Sequence, residues 1–124
     1  MEQKEKVKLF ETTITAIGIE AEKLAEENMV ILFGDEAPDF LADYCYKIIL
    51  KNLEGEIHAG MTLQIANVPY EIMAVGDVVV KNLNELGHIT IKLDGSTNAE
   101  LPGTLYVEEK ELPEITVGTT IAIY

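Results

Sequence analysis

The apolar positions of this chain fall in short runs, and most of them alternate with polar ones. Ile89, Ile91 and Leu93 are interleaved with His88, Thr90 and Lys92, the signature of a strand with one face in a core and the other toward solvent or a cleft. Met61, Leu63 and Ile65 alternate in the same way. After a break at Ala66-Asn67-Val68-Pro69, so do Tyr70, Ile72 and Ala74, leading to Gly76. These two runs predict a hairpin, although its loop is not one of the strong two-residue turns. Met29 to Phe33 is continuously apolar and predicts a buried strand. Further strands are expected over Val7–Ile17, Tyr44–Leu50, His88–Leu93, Thr104–Glu108 and Thr119–Tyr124.

Helical signals are fewer. Ile19 to Glu27 has an acidic outer face suited to a short helix. Pro38 can open another that ends near Asp43. Val78 to Leu86 is helical if Asp77 caps it, but three consecutive valines weaken that reading. Turns are expected at Lys51-Asn52-Leu53-Glu54-Gly55, where Leu53 is an unusual guest, at Asp94-Gly95-Ser96-Thr97-Asn98 and at Leu101-Pro102-Gly103. Seven or eight short strands with one or two short helices predict an all-β fold, a small closed or nearly closed barrel. Closure hides the apolar edges that such strands would otherwise expose. The chain of 124 residues shows no repeat, low-complexity tract or inter-domain linker, so a single domain over 1–124 is expected.

Charge narrows the partners. The net charge is −13, from 22 acidic residues against nine basic ones, and all nine are lysines. Such a surface excludes phosphate-backbone binding as a main activity and disfavours anionic lipid. It favours a basic protein partner. Without arginine there is no bidentate fork for a phosphate, so any phosphate handled here rests on backbone N–H groups, lysines or the partner. No apolar run approaches the ~20 residues of a bilayer span, and the charged N-terminus lacks the apolar segment of a signal peptide. No direct membrane insertion and a cytoplasmic location are expected.

The candidate chemistry is sparse. Cys45 is the sole cysteine; flanked by Tyr44 and Tyr46, it reads as a buried, inert thiol. No zinc-type spacing is present, which leaves a metal-dependent enzyme with little support, and neither a metal nor a cofactor is expected. The acidic run Asp35, Glu36, Asp39 and Asp43 reads as a solvated loop or as a docking rim for a basic carrier. The two histidines, His58 and His88, remain. His88 follows Gly87, where the backbone can approach the ring closely, and shares a strand face with Thr90. His58 precedes Ala59-Gly60 at a turn or strand start. Each is either a surface imidazole or a nucleophile.

The order and spacing of several short motifs resemble the glucitol/sorbitol-specific IIA component of the phosphotransferase system across nearly the whole chain. They are Thr12-Thr13-Ile14-Thr15 with Ile17-Gly18, Ala37-Pro38, Tyr44-Cys45, Leu53 to Gly55, His58 with Gly60, and Ala74-Val75-Gly76. Asn82-Leu83, Glu85-Leu86-Gly87-His88, Asp94-Gly95 and Pro102-Gly103-Thr104 complete the set. The resemblance implies an all-β barrel particular to this family and a cytoplasmic phosphotransferase-system carrier. In that role the small protein HPr hands a phosphoryl group to a histidine, which passes it to a cysteine of the membrane-bound IIB/IIC component during sorbitol (glucitol) uptake.

One departure bears on the site. The family pattern carries its usual acceptor histidine three residues after the Tyr-Cys pair. The matching residue here is Ile48, and a second histidine two positions on is matched by Leu50. His88 and His58 do have histidine counterparts in the family pattern, which makes His88 the first candidate acceptor and His58 the second. The alternative is a non-catalytic binding or regulatory module that keeps the barrel and has lost the acceptor.

Overall fold

The alternating runs close into a ring of eight strands. The structure, a computed structural model, describes residues 8–53 and 55–124. Val7, the rest of the charged N-terminal arm, and Glu54 of the expected turn lie outside the described residues. In chain order the elements are β1 (Phe10–Ile17), α1 (Ala21–Glu26), β2 (Met29–Phe33), α2 (Asp39–Ala42), β3 (Tyr46–Ile48) and β4 (Thr62–Ile65). They continue with β5 (Val68–Val75), α3 (Val79–Leu86), β6 (Ile89–Lys92), β7 (Thr104–Val107) and β8 (Thr120–Ile123). The strands form a closed barrel in the order β1-β3-β2-β6-β7-β5-β4-β8. β2–β3 and β6–β7 are parallel and the other six pairings antiparallel.

The expected barrel is thus present, with three short helices rather than one or two. The additional one is α3, which forms despite its valines because Val79 and Leu83 are buried in the core; tertiary burial outweighs intrinsic propensity. Asp77 does not cap it. Val78 is the N-cap residue and no side chain caps the helix. The inward sets hold apart from Met61, which precedes β4 and is only partly buried: Leu63, Ile65, Tyr70, Ile72, Ala74, Ile89, Ile91 and Leu93 are buried in the interior. Pro69 lies inside β5 rather than in the turn, which tightens to Ala66 and Asn67.

Adding four to every strand number maps the ring onto itself, so the barrel has an internal pseudo-twofold symmetry. β1 pairs with β3 through Ile14–Ile48, Ala16–Lys47 and Ile17–Tyr46, with a bulge between Ile14 and Ala16. β5 pairs with β7 through Ile72–Val107, Ala74–Tyr106 and Val75–Leu105, with its bulge between Ile72 and Ala74. The Gly18 N–H bonds the Cys45 carbonyl and the Gly76 N–H the Thr104 carbonyl, both at 2.9 Å. The Gly60 and Gly118 N–H groups bond the Ile72 and Ile14 carbonyls, both at 2.8 Å. The seams β2–β6 and β4–β8 pair each half with the other. Equivalent residues are 58 apart from β1 to α1 (18 to 76) and 59 apart through β2 and β3 (46 to 105). Few are identical, which is why the repeat does not show in the sequence.

Leu53, out of place in a turn, is buried because α3 holds it there. The Asn84 side chain accepts from the Leu53 N–H at 2.6 Å and donates to the Leu53 carbonyl at 2.9 Å. Asn84→Ala leaves two partly buried backbone groups unpaired and is expected to cost about 2 kcal/mol, read as a lowered urea midpoint with faster proteolysis of the 49–61 segment.

Burial weakens the acidity of three interior groups. The Tyr46 phenol is pushed above its ordinary 10.0 by burial and then by Glu22. The Tyr70 phenol is raised by burial and then by Glu108 and Glu111. Burial raises the Cys45 thiol above 9.0, with Lys47 opposing. The folded chain therefore holds these protons more tightly than the unfolded chain. Their contribution is fully present below pH about 9 and is lost as pH climbs through the raised folded values. A scan from pH about 8 to about 10.5 should show a falling thermal midpoint, and Cys45→Ala with Tyr46→Phe should flatten that fall.

Candidate functional site

His88 stands where α3 turns into β6. α3 ends at Gly87 in the left-handed region, φ 67°, a conformation that glycine adopts without strain. A Cβ there would also sit only 3.0 Å from the Gly34 backbone nitrogen. The Gly87 N–H bonds the Leu83 carbonyl at 3.1 Å and the His88 N–H reaches the Asn82 carbonyl at 3.2 Å, so the chain enters β6 in one defined direction. Antiparallel pairing of Leu32 with Ile89 then brings the end of β2 against the imidazole.

Three consecutive residues at that end hold the corner. The Leu32 carbonyl lies 3.0 Å from His88 Nδ1. The Phe33 ring stacks on the imidazole, centroids 4.3 Å apart and planes 20° from parallel. The Gly34 N–H bonds the Leu86 carbonyl at 2.9 Å. A carbonyl only accepts, so Nδ1 carries the proton and, in the neutral ring, Nε2 carries the lone pair. His88 is half-buried on the outward face of β6 with Thr90 and Lys92, as the alternation predicts. The partners Leu32 and Phe33 were not legible in the sequence; the one signal was an apolar run ending in Phe33-Gly34, without its cross-strand partner.

His58 is placed elsewhere. It lies in the loop between β3 and β4, its side chain 66% exposed and its Nε2 3.5 Å from a Glu56 carboxylate oxygen. Its N–H meets Met61 Sδ at 3.2 Å. No hydrogen bond or ring contact joins His58 to His88 among the described residues. The His58 ring therefore stands largely in solvent, with a carboxylate beside Nε2.

The other candidates fall into place around this corner. Ile48 is sealed in the core, with its Cδ1 3.4 Å from where a Cβ on Gly87 would stand. Leu50, half-exposed, has Cδ1 3.9 Å from the corresponding point on Gly34. Cys45 is fully buried. Asp35, Glu36, Asp39 and Asp43 are all exposed, on the segment that leaves Gly34 and carries α2. Exposed Leu50 and Leu86 border the corner, and Phe40 and Tyr44 lie on the acidic segment. Among the described residues, no three His, Cys, Asp or Glu side chains converge as a metal site, and no helix is long and apolar enough to cross a membrane.

The family profile of the glucitol/sorbitol-specific IIA component of the phosphotransferase system matches residues 9–122. The chain belongs to this family. The glucitol/sorbitol-specific IIA components of Shigella flexneri and Escherichia coli K12 are each 36% identical to it over 113 residues, covering 91% of this chain and 92% of theirs. The crystal structure of a phosphotransferase-system IIA component from Enterococcus faecalis V583 superposes with a TM-score of 0.80 at 32% identity, over 90% of this chain and 97% of that one. The barrel is therefore the fold of a IIA component. Membership implies a carrier role within the phosphotransferase system and contact with its other components.

Proposed function

We propose that this IIA component is a histidine phosphocarrier whose acceptor atom is Nε2 of His88, loaded by HPr and discharged to the IIB component in glucitol (sorbitol) uptake. The observation that carries the reading is the 3.0 Å contact between Nδ1 and the Leu32 carbonyl. It directs the lone pair to Nε2 and holds the ring in place before the donor arrives.

In the loading step, the Nε2 lone pair forms the new N–P bond as the N–P bond of phospho-HPr breaks. The released electron pair stays on the HPr imidazole. Positive charge grows on the His88 ring, and the Nδ1–H···O=C bond strengthens as it does so. Phe33 keeps the ring plane fixed throughout. In the discharge step, a cysteine thiolate of IIB attacks phosphorus and the N–P pair returns to Nε2. The chain offers no arginine, so donors for the phosphoryl oxygens come from Thr90, from lysines or from the partner. The exposed acidic segment and the apolar rim of Leu50 and Leu86 suit a basic partner with an apolar contact of its own.

Position 48 argues for the same corner. The residue matching the family's usual acceptor is a buried isoleucine that packs beside Gly87, so loss of that imidazole leaves the neighbouring one as the reactive group. The second reading, a regulatory module without phosphoryl transfer, draws on the same Ile48. Incubation with phosphoenolpyruvate, Enzyme I and HPr, followed by intact mass, separates the two. Gain of one phosphate per chain supports the carrier, and no gain supports the module.

A further inference from the structure

The pseudo-twofold axis makes one cavity conspicuous. In the second half, α3 closes on the segment between β3 and β4 through the Asn84 clamp on Leu53. In the first half, the position equivalent to Asn84 is Glu26. There α1 stands away from the segment between β7 and β8. The gap is a cavity of about 420 Å³ lined by Glu22, Ala25, Glu26, Asn28, Tyr46 and residues 111–115. The fold does not require this opening, since at the twin position the Asn84 clamp ties helix and segment together.

Two features of the lining point to a ligand. Tyr46 is 1% exposed, yet its hydroxyl has no hydrogen-bond partner among the described residues. The other two buried tyrosines are both engaged: the Tyr70 hydroxyl donates to the Glu111 carbonyl at 2.7 Å and the Tyr106 hydroxyl accepts from the Leu101 N–H at 3.0 Å. Tyr46 lines the cavity, and because no sealed side-chain polar atom goes unpartnered among the described residues, its hydroxyl opens into that space. The second feature is the charge. Glu22, Glu26, Glu111 and Glu114 line the opening, and none of them has a lysine or histidine within 4 Å among the described residues. The remaining wall, Ala25, Leu112, Pro113 and Ile115, is apolar. The 111–115 segment is held in place by the Tyr70 bond, so the cavity is a built shape.

We propose that this cavity binds a guanidinium or ammonium group carried on an aliphatic stem, with the charged head among the glutamates and against the Tyr46 hydroxyl and the stem along Leu112, Pro113 and Ile115. A phenolic oxygen accepts from a cationic N–H while its own proton turns to Glu22. An alkyl stem suits an apolar wall beside charged groups. Neither histidine lines the cavity, so the inference stands apart from the phosphocarrier reading.

Agmatine titrated into the isotopically labelled full chain, followed by amide chemical shifts, tests it. Saturable shifts confined to α1, Asn28 and residues 111–115 are expected. Tyr46→Phe should weaken binding about tenfold, the worth of one charge-assisted hydrogen bond. The exposed double variant Glu26→Gln/Glu114→Gln, which leaves the core untouched, should weaken it at least as much. A blocked Gly-Arg-Gly tripeptide is the second probe. Tighter binding of the tripeptide assigns the cation to a protein's arginine, tighter binding of agmatine to a free diamine, and both uphold the site. Absence of saturation, affinity unchanged in both variants, or equal shifts across the exposed acidic run 35–43 would overturn it.

Discussion

His88→Gln is expected to abolish phosphoryl uptake from HPr, lowering the transfer rate by at least about 10³-fold and the incorporated phosphate from one per chain to background. Glutamine is the informative replacement because its amide can still donate to the Leu32 carbonyl. Its nitrogen lone pair is delocalised and does not attack phosphorus. The variant therefore preserves the corner and removes only the nucleophile. His58→Gln should load as the wild type does, since the His58 ring stands largely in solvent beside the Glu56 carboxylate. Intact mass after a fixed incubation reads both. Labelled His88→Gln with unlabelled His58→Gln would transfer the acceptor role to His58.

The largest expected loss of stability comes from Gly18→Ala and Gly76→Ala. Neither glycine has a left-handed backbone, so the reason is space. A Cβ on Gly18 would stand well inside contact distance of the Ala42 and Asp43 carbonyl oxygens, and one on Gly76 inside that of Leu101 and Pro102. The obstacle in each case is backbone. The Asp43 and Pro102 carbonyls accept from the Glu20 and Val78 N–H groups, and Gly18 and Gly76 are tied alongside by their bonds to the Cys45 and Thr104 carbonyls, so these bonds must yield before room appears. Each substitution should cost about 3 kcal/mol, and the two are nearly additive because they lie in different halves. Together they approach the roughly 5–15 kcal/mol that holds a typical domain folded. Guanidinium denaturation measures this. A midpoint unchanged in both variants would mean that the crossovers slide away from the strand ends at little cost.

Much of the barrel was legible because it rests on local alternation. The inward residues of β4, β5 and β6 follow from period two, and the boundaries of β2 from the two ends of an unbroken apolar run. Pairing was not legible. Nothing in Met29 to Phe33 announces that it will lie antiparallel to β6, and it is that pairing that brings Leu32 and Phe33 to His88. Helix α3 was obscured by its valines, whose reward is burial rather than propensity. Leu53 seemed misplaced because its partner, Asn84, is 31 residues away. His88 itself was legible as an outward-facing residue after a glycine. The tautomer, which gives it its chemistry, depends on a carbonyl from another strand.

The seams β2–β6 and β4–β8 are self-reciprocal under the pseudo-twofold symmetry. Two copies of one half-length polypeptide would satisfy every ladder of this barrel and would carry each side chain twice. A single chain carries no such obligation, and its two halves differ. The twin of His88 is Met29, and the twin of the Asn84 clamp is Glu26 beside an open cavity. A strictly twofold barrel would have two equivalent imidazole corners or none; this chain has one.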